Sequence, residues 1–402
     1  MYGSRTQRWR VVLGGVAAAA LVAGLGVAPG VANGAPRPVS AVTVDVGAYN
    51  VYLGADLTPL FGATSLFDLI SRAEAIYAEM ERTDFPQRAQ AIAELVAEDP
   101  PDVLGLNEVA LWETAPWALV QTPAGPLPVV TGPYTTTFDF EQILLDALAA
   151  EGEPYTVVAT NTNFTSATIP IAIPISPTLA ARFTDHDLIL VRDDALKHMA
   201  VSNARSFNYT DESSFSLNLL GLEVIVKRGW STVDLTQGGR TVRFANTHFE
   251  AFGNTPLRDE WRNLQAAELV ADLETSPHPV VVVGDINSRP TLCQDFRQPP
   301  QPADQNVVAY GLLEDAGLRE VWPLVYQKDP CGPAGWTSGQ DDSLQEPSTL
   351  DHRIDVVFVS EEFSALQAET IGEEPGDRTV PDGFWPSDHA GSLAKIRLDA
   401  RT

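Results

Sequence analysis

Apolar positions along this chain change their period several times, and each change marks an element. Leu66, Leu69, Ile70 and Ala73 recur at helical spacing between Ser65 and Met80, and Ala91, Ile92, Leu95 and Val96 do the same between Gln87 and Ala97. A further helix is predicted from Pro256 to Leu273, with Thr255 as N-cap, Pro256 at its first position, and Leu257, Trp261, Leu264 and Leu269 inward. Short runs at 43–52, 102–109, 155–160, 187–192, 231–236, 241–249, 353–360 and 391–398 read as strands. The run VVVVGDIN at 280–287 is continuously apolar until its polar end, as in a sheet covered on both faces. Gly238 and Gly239 suit a hairpin turn with positive φ between 231–236 and 241–249.

Hairpins mixed with helical crossovers predict an α/β sandwich of two sheets carrying outer helices. Two segments sit outside this grammar. Residues 161–182 are apolar with three prolines, and residues 294–350 are rich in Pro, Gln, Asp and Gly; both are expected to be long loop insertions. For 161–182 two readings stand open, a loop packed on its own domain or a surface that touches a bilayer.

Composition supports a folded chain, with 44% hydrophobic and 20% charged residues over 402 positions. Arg5, Arg8 and Arg10 precede an apolar run from Val11 to Ala28 and small residues around Val31-Ala32. That pattern predicts a signal peptide at 1–32, a linker at 33–42, and a secreted protein; an uncleaved membrane anchor is the alternative. Losing three arginines and no acids takes the formal charge from −27 to −30. Such a charge repels polyanions at long range and argues against a basic groove for nucleic acid, although divalent cations can invert the field inside a site. The two cysteines, Cys293 and Cys331, are expected to pair as a disulfide in an oxidising compartment.

Polar residues gather where strands end. Asn50 closes one, Glu108 follows another, His248 ends a third, and Asp285 with Asn287 ends a fourth, while Asp355 lies in the 353–360 strand and Asp388-His389 precedes the last. Asp285 and Asn287 are two apart, so in an extended segment both point to one side. Oxygen donors such as Asn50, Glu108, Asp285 and Asp388 suit Mg²⁺ or Mn²⁺ better than zinc. A His beside an acid can serve as general base, and a second His as general acid. His186, His198, His278 and His352 read as solvated or structural, and Trp112, Trp261, Trp322, Trp336 and Trp385 as core or loop anchors, with Trp385 placed to line the site wall.

At these residues the chain resembles a known superfamily. YNVY (49–52), LNEV (106–109), NTHFEA (246–251), GDINSRP (284–290), RIDVVFV (353–359) and PSDHAG (386–391) look like the ordered signatures of the endonuclease/exonuclease/phosphatase group, over about 43–398. The resemblance implies a four-layered α/β sandwich with two mixed, mainly antiparallel sheets flanked by helices. It also implies a divalent-metal-dependent phosphoester hydrolase that attacks phosphorus in line with water. Carried over motif by motif, Glu108 would be the principal metal ligand with Asn50 nearby and Asp388 assisting. Asp285 and Asn287 would position water and phosphate. His389 would be general base or phosphate ligand oriented by Asp355, and His248 would donate to the leaving or a non-bridging oxygen. A mid-chain phosphate ligand is usual in the group, and Tyr155, Asn161 and Asn163 lie in the right region. The expected substrate is a phosphate ester, nucleic acid or a phospholipid head group, handled by a monomer without an obligate protein partner. A sphingomyelinase- or phospholipase-C-like or phosphoinositide-type lipid phosphoesterase and a non-catalytic binding module are the alternatives; the full set of acid, base and metal candidates argues against the module.

Overall fold

The computed structural model describes residues 41–123, 125–169, 171–251, 256–296 and 307–400. The expectations for a signal peptide and for an N-cap at Thr255 fall outside the described residues, as do the side chains of 256–259.

Six helices punctuate the described chain: α1 (Leu66–Arg82), α2 (Phe85–Glu98), α3 (Phe140–Ala150), α4 (Pro256–Leu273), α5 (Val308–Asp315) and α6 (Val321–Val325). The strands form two large sheets. In the first, the spatial order is Phe363–Ile371, Gly391–Leu398, Val42–Asn50, Val103–Thr122, Leu179–Arg192 and Tyr155–Thr165. In the second it is Arg319–Glu320, Asp355–Val359, Val280–Asp285, Arg240–His248, Gly229–Gln237 and Met199–Asn208. Among the described residues only Val42–Asn50 with Val103–Thr122, and Arg240–His248 with Val280–Asp285, pair in parallel. Each parallel step is bridged by helices, α1 and α2 in one case and α4 in the other. Hence both carry polar residues at strand C-termini on the same side of the sandwich.

Three apolar clusters define four layers. Val46, Val103, Ile189, Phe244, Val283 and Ile396 belong to the core between the sheets. Tyr49, Ile92, Leu106 and Leu144 pack the outer face of the first sheet against its helices, and Ala266, Leu269, Val282 and Phe358 do so for the second. Every residue of Val280–Asp285 is buried, as its unbroken apolar run requires. Gly238 and Gly239 both take positive φ in the predicted hairpin.

Several elements differ from the sequence reading. The strand expected at 102–109 runs to Thr122, because beyond Glu108 it pairs with Leu179–His186 and then with Gly125–Val130. Helix α3 was not expected; Asp139 caps it by accepting from Gln142 N at 3.1 Å. The segment 161–182 is not a free loop: its ends belong to two strands, and Ile173–Pro174 pairs with Ala180–Ala181. Likewise 294–350 contains α5 and α6, whose Tyr310, Leu313 and Trp322 are buried. On α4 the inward residues are Ala266, Leu269 and Leu273 with Arg262 and Gln265, while Leu264 is 39% exposed. Leu264 and Leu269 are five apart, too far round a 3.6-residue turn to share a face. Cys293 and Cys331 form the expected disulfide, with Cα atoms 5.6 Å apart. No helix among the described residues is long and apolar enough to cross a membrane.

Candidate active site

Two amides clasp the sheets together directly beneath the strand ends. Asn246 donates to the carbonyls of Leu106 and Leu188, each at 2.9 Å. Asn107 answers from the opposite sheet, accepting from Asp285 N at 2.9 Å and donating to Thr247 O at 3.3 Å. The close approach needs glycine on both sides. A Cβ on Gly105 would lie 2.7 Å from Asn246 Oδ1, and one on Gly284, whose φ is +126°, would lie 2.0 Å from Thr247 O.

The register of the first sheet shifts between Leu106 and Val109, so Asn107 and Glu108 form a bulge. Glu108 there takes a φ of 60°. A bulge re-aims side chains and positive φ is disfavoured for L-residues, so the backbone holds Glu108 against its own preference. Glu108 thus reaches Leu53 N, from which its Oε2 accepts at 3.0 Å.

Asp285 is the hub. Its Oδ2 accepts from Asn50 Nδ2 at 3.1 Å and lies 3.6 Å from His248 Nε2 and 3.8 Å from His389 Nε2. Its Oδ1 accepts from Asn287 N at 2.9 Å. The extended geometry expected of Asp285 and Asn287 does not hold. The strand ends at Asp285, Asn287 takes a φ of 47°, and its amide donates to Phe249 O at 3.0 Å. Asp355 stands directly opposite Asp285 in the antiparallel register. Its Oδ2 accepts from His389 Nδ1 at 2.8 Å, and its backbone N–H donates to Thr337 Oγ1 at 3.0 Å.

The two histidines differ in state for physical reasons. Arg228 approaches His248 Nδ1 at 3.1 Å. A guanidinium only donates, so Nδ1 accepts and the ring proton sits on Nε2, facing Asp285. Burial, then Arg228, then His389 push the His248 pKa well below its ordinary value, and the ring is neutral. For His389 burial acts in the same direction, but Asp355, Asp388 and Asp285 outweigh it and raise the pKa.

Carboxylates crowd this end of the sandwich. Burial, with Asp355 adding to it, lifts Asp285 to about 6, and burial with Glu108 and Asp342 lifts Asp388 to about 7. Acids held partly protonated at neutral pH form a site short of positive charge, which a divalent cation would supply. Among the described residues, ligand atoms of Asp285, Asp355 and His389 lie within 4.8 Å of one another. Of the three ligands expected from sequence, Asn50 is committed to Asp285 and, through Oδ1, to Tyr52 N at 3.0 Å. Glu108 and Asp388 line one shared cavity. Oxygen-rich donors of this kind fit Mg²⁺ or Mn²⁺.

Several participants escaped the sequence reading. Asp185 and Asp187 flank His186 at the entry to an apolar strand, and only that D-x-D spacing could have marked them. Asn163 donates to both, at 3.3 and 2.8 Å, and Arg228 donates to Asp185 at 3.2 Å. Of the three mid-chain candidates, Asn163 and its partner Asn161 therefore sit behind His248. Tyr155 donates instead to Pro101 O at 2.7 Å, remote from the other site residues in the register of its strand. Trp385 is buried among Tyr52, Leu344 and Phe384, anchoring the loop before Asp388.

The profile of the Endonuclease/Exonuclease/phosphatase family matches residues 47–389. Among solved structures, the chain is similar to an endonuclease/exonuclease/phosphatase from Beutenbergia cavernae DSM 12333, with 19% identity, 89% of this chain and 72% of that one covered, and a TM-score of 0.51. It is also similar to an endonuclease/exonuclease/phosphatase family protein from Bacteroides thetaiotaomicron, with 16% identity, 90% and 97% covered, and a TM-score of 0.50. At these identities the likeness concerns the fold. No curated protein matches the chain.

Proposed function

Because the chain belongs to the endonuclease/exonuclease/phosphatase family, a group of divalent-metal-dependent phosphoester hydrolases, we propose that it is a secreted phosphodiesterase working with Mg²⁺ or Mn²⁺. The observation that carries this reading is the convergence of His248 Nε2 and His389 Nε2 on Asp285 Oδ2, at 3.6 and 3.8 Å. Two imidazoles and a carboxylate face one point from two strand ends and the loop before the last strand, the arrangement that in-line displacement at phosphorus needs.

Glu108, with Asn50 and Asp388 beside it, would hold the cation, which when bound polarises a phosphoryl oxygen and makes water easier to deprotonate. Asp355, Asp388 and Asp285 hold His389 protonated, so His389, its Nδ1–H fixed on Asp355, would present Nε2 to take the proton from attacking water once a bound cation offsets the field of those carboxylates. Asp285 and Asn287 orient that water against phosphorus. His248 is a neutral Nε2–H donor, so its role is a hydrogen bond to a phosphoryl or leaving oxygen, where negative charge grows. Water forms the new P–O bond, the ester P–O bond breaks, and the proton finishes on the released alcohol.

Bis-p-nitrophenyl phosphate tests the reaction. Turnover with Mg²⁺ or Mn²⁺ that EDTA abolishes and added metal restores is the expected result; undiminished turnover in EDTA would remove the metal mechanism. Secretion is a separate proposal resting on residues 1–32, and N-terminal sequencing of the exported protein should begin at Asn33.

A further inference from the structure

Beside the acids lies a cavity of about 410 Å³. Leu69, Ile76, Trp112, Phe164, Leu219 and Val224 are among the side chains that line it. Glu108, Asp185, Arg228 and Asp388 line it too, so the cavity and the candidate active site share a wall. We propose that this cavity receives an unbranched hydrocarbon chain carried by the phosphodiester substrate, so that the enzyme acts on single-chain lipid phosphodiesters. The inference rests on the phosphodiesterase reading and adds the substrate class.

Three observations support it. Protein interiors are close-packed, and a void this large in apolar surroundings has the size of a ligand site rather than of a packing defect. One side of it is closed by a hairpin that lies outside the two large sheets. Leu69 of α1 clusters with Leu219 and Val224 of a separate two-stranded hairpin (Phe215–Leu219, Leu222–Val226) and with Phe164, Ile169 and Ile173. Leu69, Leu219 and Val224 belong to none of the three layer cores, whereas Phe164 also packs on the outer core of the first sheet, to which Ile76 and Trp112 of the cavity wall belong.

Charge then decides between substrate classes. The basic residues in the wall are Arg182 and Arg228, and both are already paired, with Glu113 at 2.6 Å and Asp185 at 3.2 Å. Asp56, Asp342 and Asp388 line the same space. A polynucleotide or inositol polyphosphate would bring further phosphates toward carboxylates with no spare cation to receive them. A hydrocarbon chain asks for no polar partner and gains from leaving water.

The segment walling the cavity also carries the long hairpin: Ala172 N donates to Pro128 O at 3.1 Å, and Trp117 Nε1 to Ser176 O at 2.9 Å. Leu119, Val120, Leu127 and Val129 on that hairpin are exposed, which places apolar surface next to the wall.

The test pairs turnover with binding. Ethyl, butyl, octyl and decyl p-nitrophenyl phosphodiesters are compared with Mg²⁺ present, and kcat/KM should climb by roughly threefold to fourfold per methylene until the cavity is full. Calorimetry with ethyl and octyl phosphate on EDTA-treated protein should show the octyl ester binding with the more negative heat-capacity change. Ile169→Trp and Ala73→Phe, which fill the cavity from two elements, should keep ethyl-ester turnover and lose the chain-length gain. Ethyl-ester turnover with no chain-length gain overturns the inference and leaves the phosphodiesterase reading intact. Octyl phosphate bound without turnover of any ester overturns that reading and leaves the cavity assignment standing. A gain that survives in both filled variants, folded as judged by circular dichroism, overturns the assignment to this cavity.

Discussion

At the scale of single residues, the decisive contacts set protonation. Arg228 fixes the tautomer of His248, and Asp355 fixes that of His389. Replacing Asp355 by Asn keeps the shape but lets the amide favour the wrong ring tautomer, so kcat on bis-p-nitrophenyl phosphate should fall on the order of 10³–10⁴-fold with little change in KM. His389→Ala and Glu108→Ala should each abolish turnover while circular dichroism and the thermal midpoint stay near wild type; full activity in both would refute the site assignment. All the residues named from motifs, Asn50, Glu108, His248, Asp285, Asn287, Asp355, Asp388 and His389, lie at one end of the sandwich. What their names could not convey was state. The neutral His248 depends on Arg228, twenty residues away in sequence, and on burial that only packing creates.

At the scale of elements, loops are held by side chains from helices and by amides between sheets. Arg88 of α2 is fully buried and donates to the carbonyls of Val51, Tyr52, Thr83 and Pro386, at 2.7 to 3.1 Å. It thereby ties the loop after Asn50 to the loop before Asp388. Arg88→Met leaves buried carbonyls without donors, and urea unfolding should report a loss on the order of 3 kcal/mol with turnover also reduced. An unchanged urea midpoint would show that water replaces the guanidinium without cost. Strands with strong β patterning, such as 280–285 and 391–398, appear where periodicity predicts them. The long strand to Thr122 and the strand-bound ends of 161–182 do not, because Pro116, Pro126, Pro128 and Pro174 read as breakers locally yet occupy paired strands.

At the scale of the whole molecule, an acidic chain concentrates buried carboxylates at one end. Burial raises Asp187 and Asp388 to about 7 and Asp285 to about 6. A carboxyl whose folded pKa exceeds its unfolded value of roughly 4 contributes stability that is present below that value and is lost as pH rises through the folded pKa. Metal-free protein should therefore melt at a higher temperature near pH 5 than near pH 8, and Mg²⁺ should raise the midpoint more at pH 8. A midpoint that rises from pH 5 to pH 8 without metal would contradict the raised acids. Periodicity and the ordered motifs were enough to determine the sheet-and-helix class, the family resemblance and the identity of the chemical groups, because strand faces and strand ends are local properties of the chain. Tertiary structure alone decided the bulge that aims Glu108, the pairing of Arg228 with Asp185 and His248, and the apolar cavity against the acids. Each of these is made by segments far apart in sequence, and its energy comes from burial and close approach that no single segment possesses.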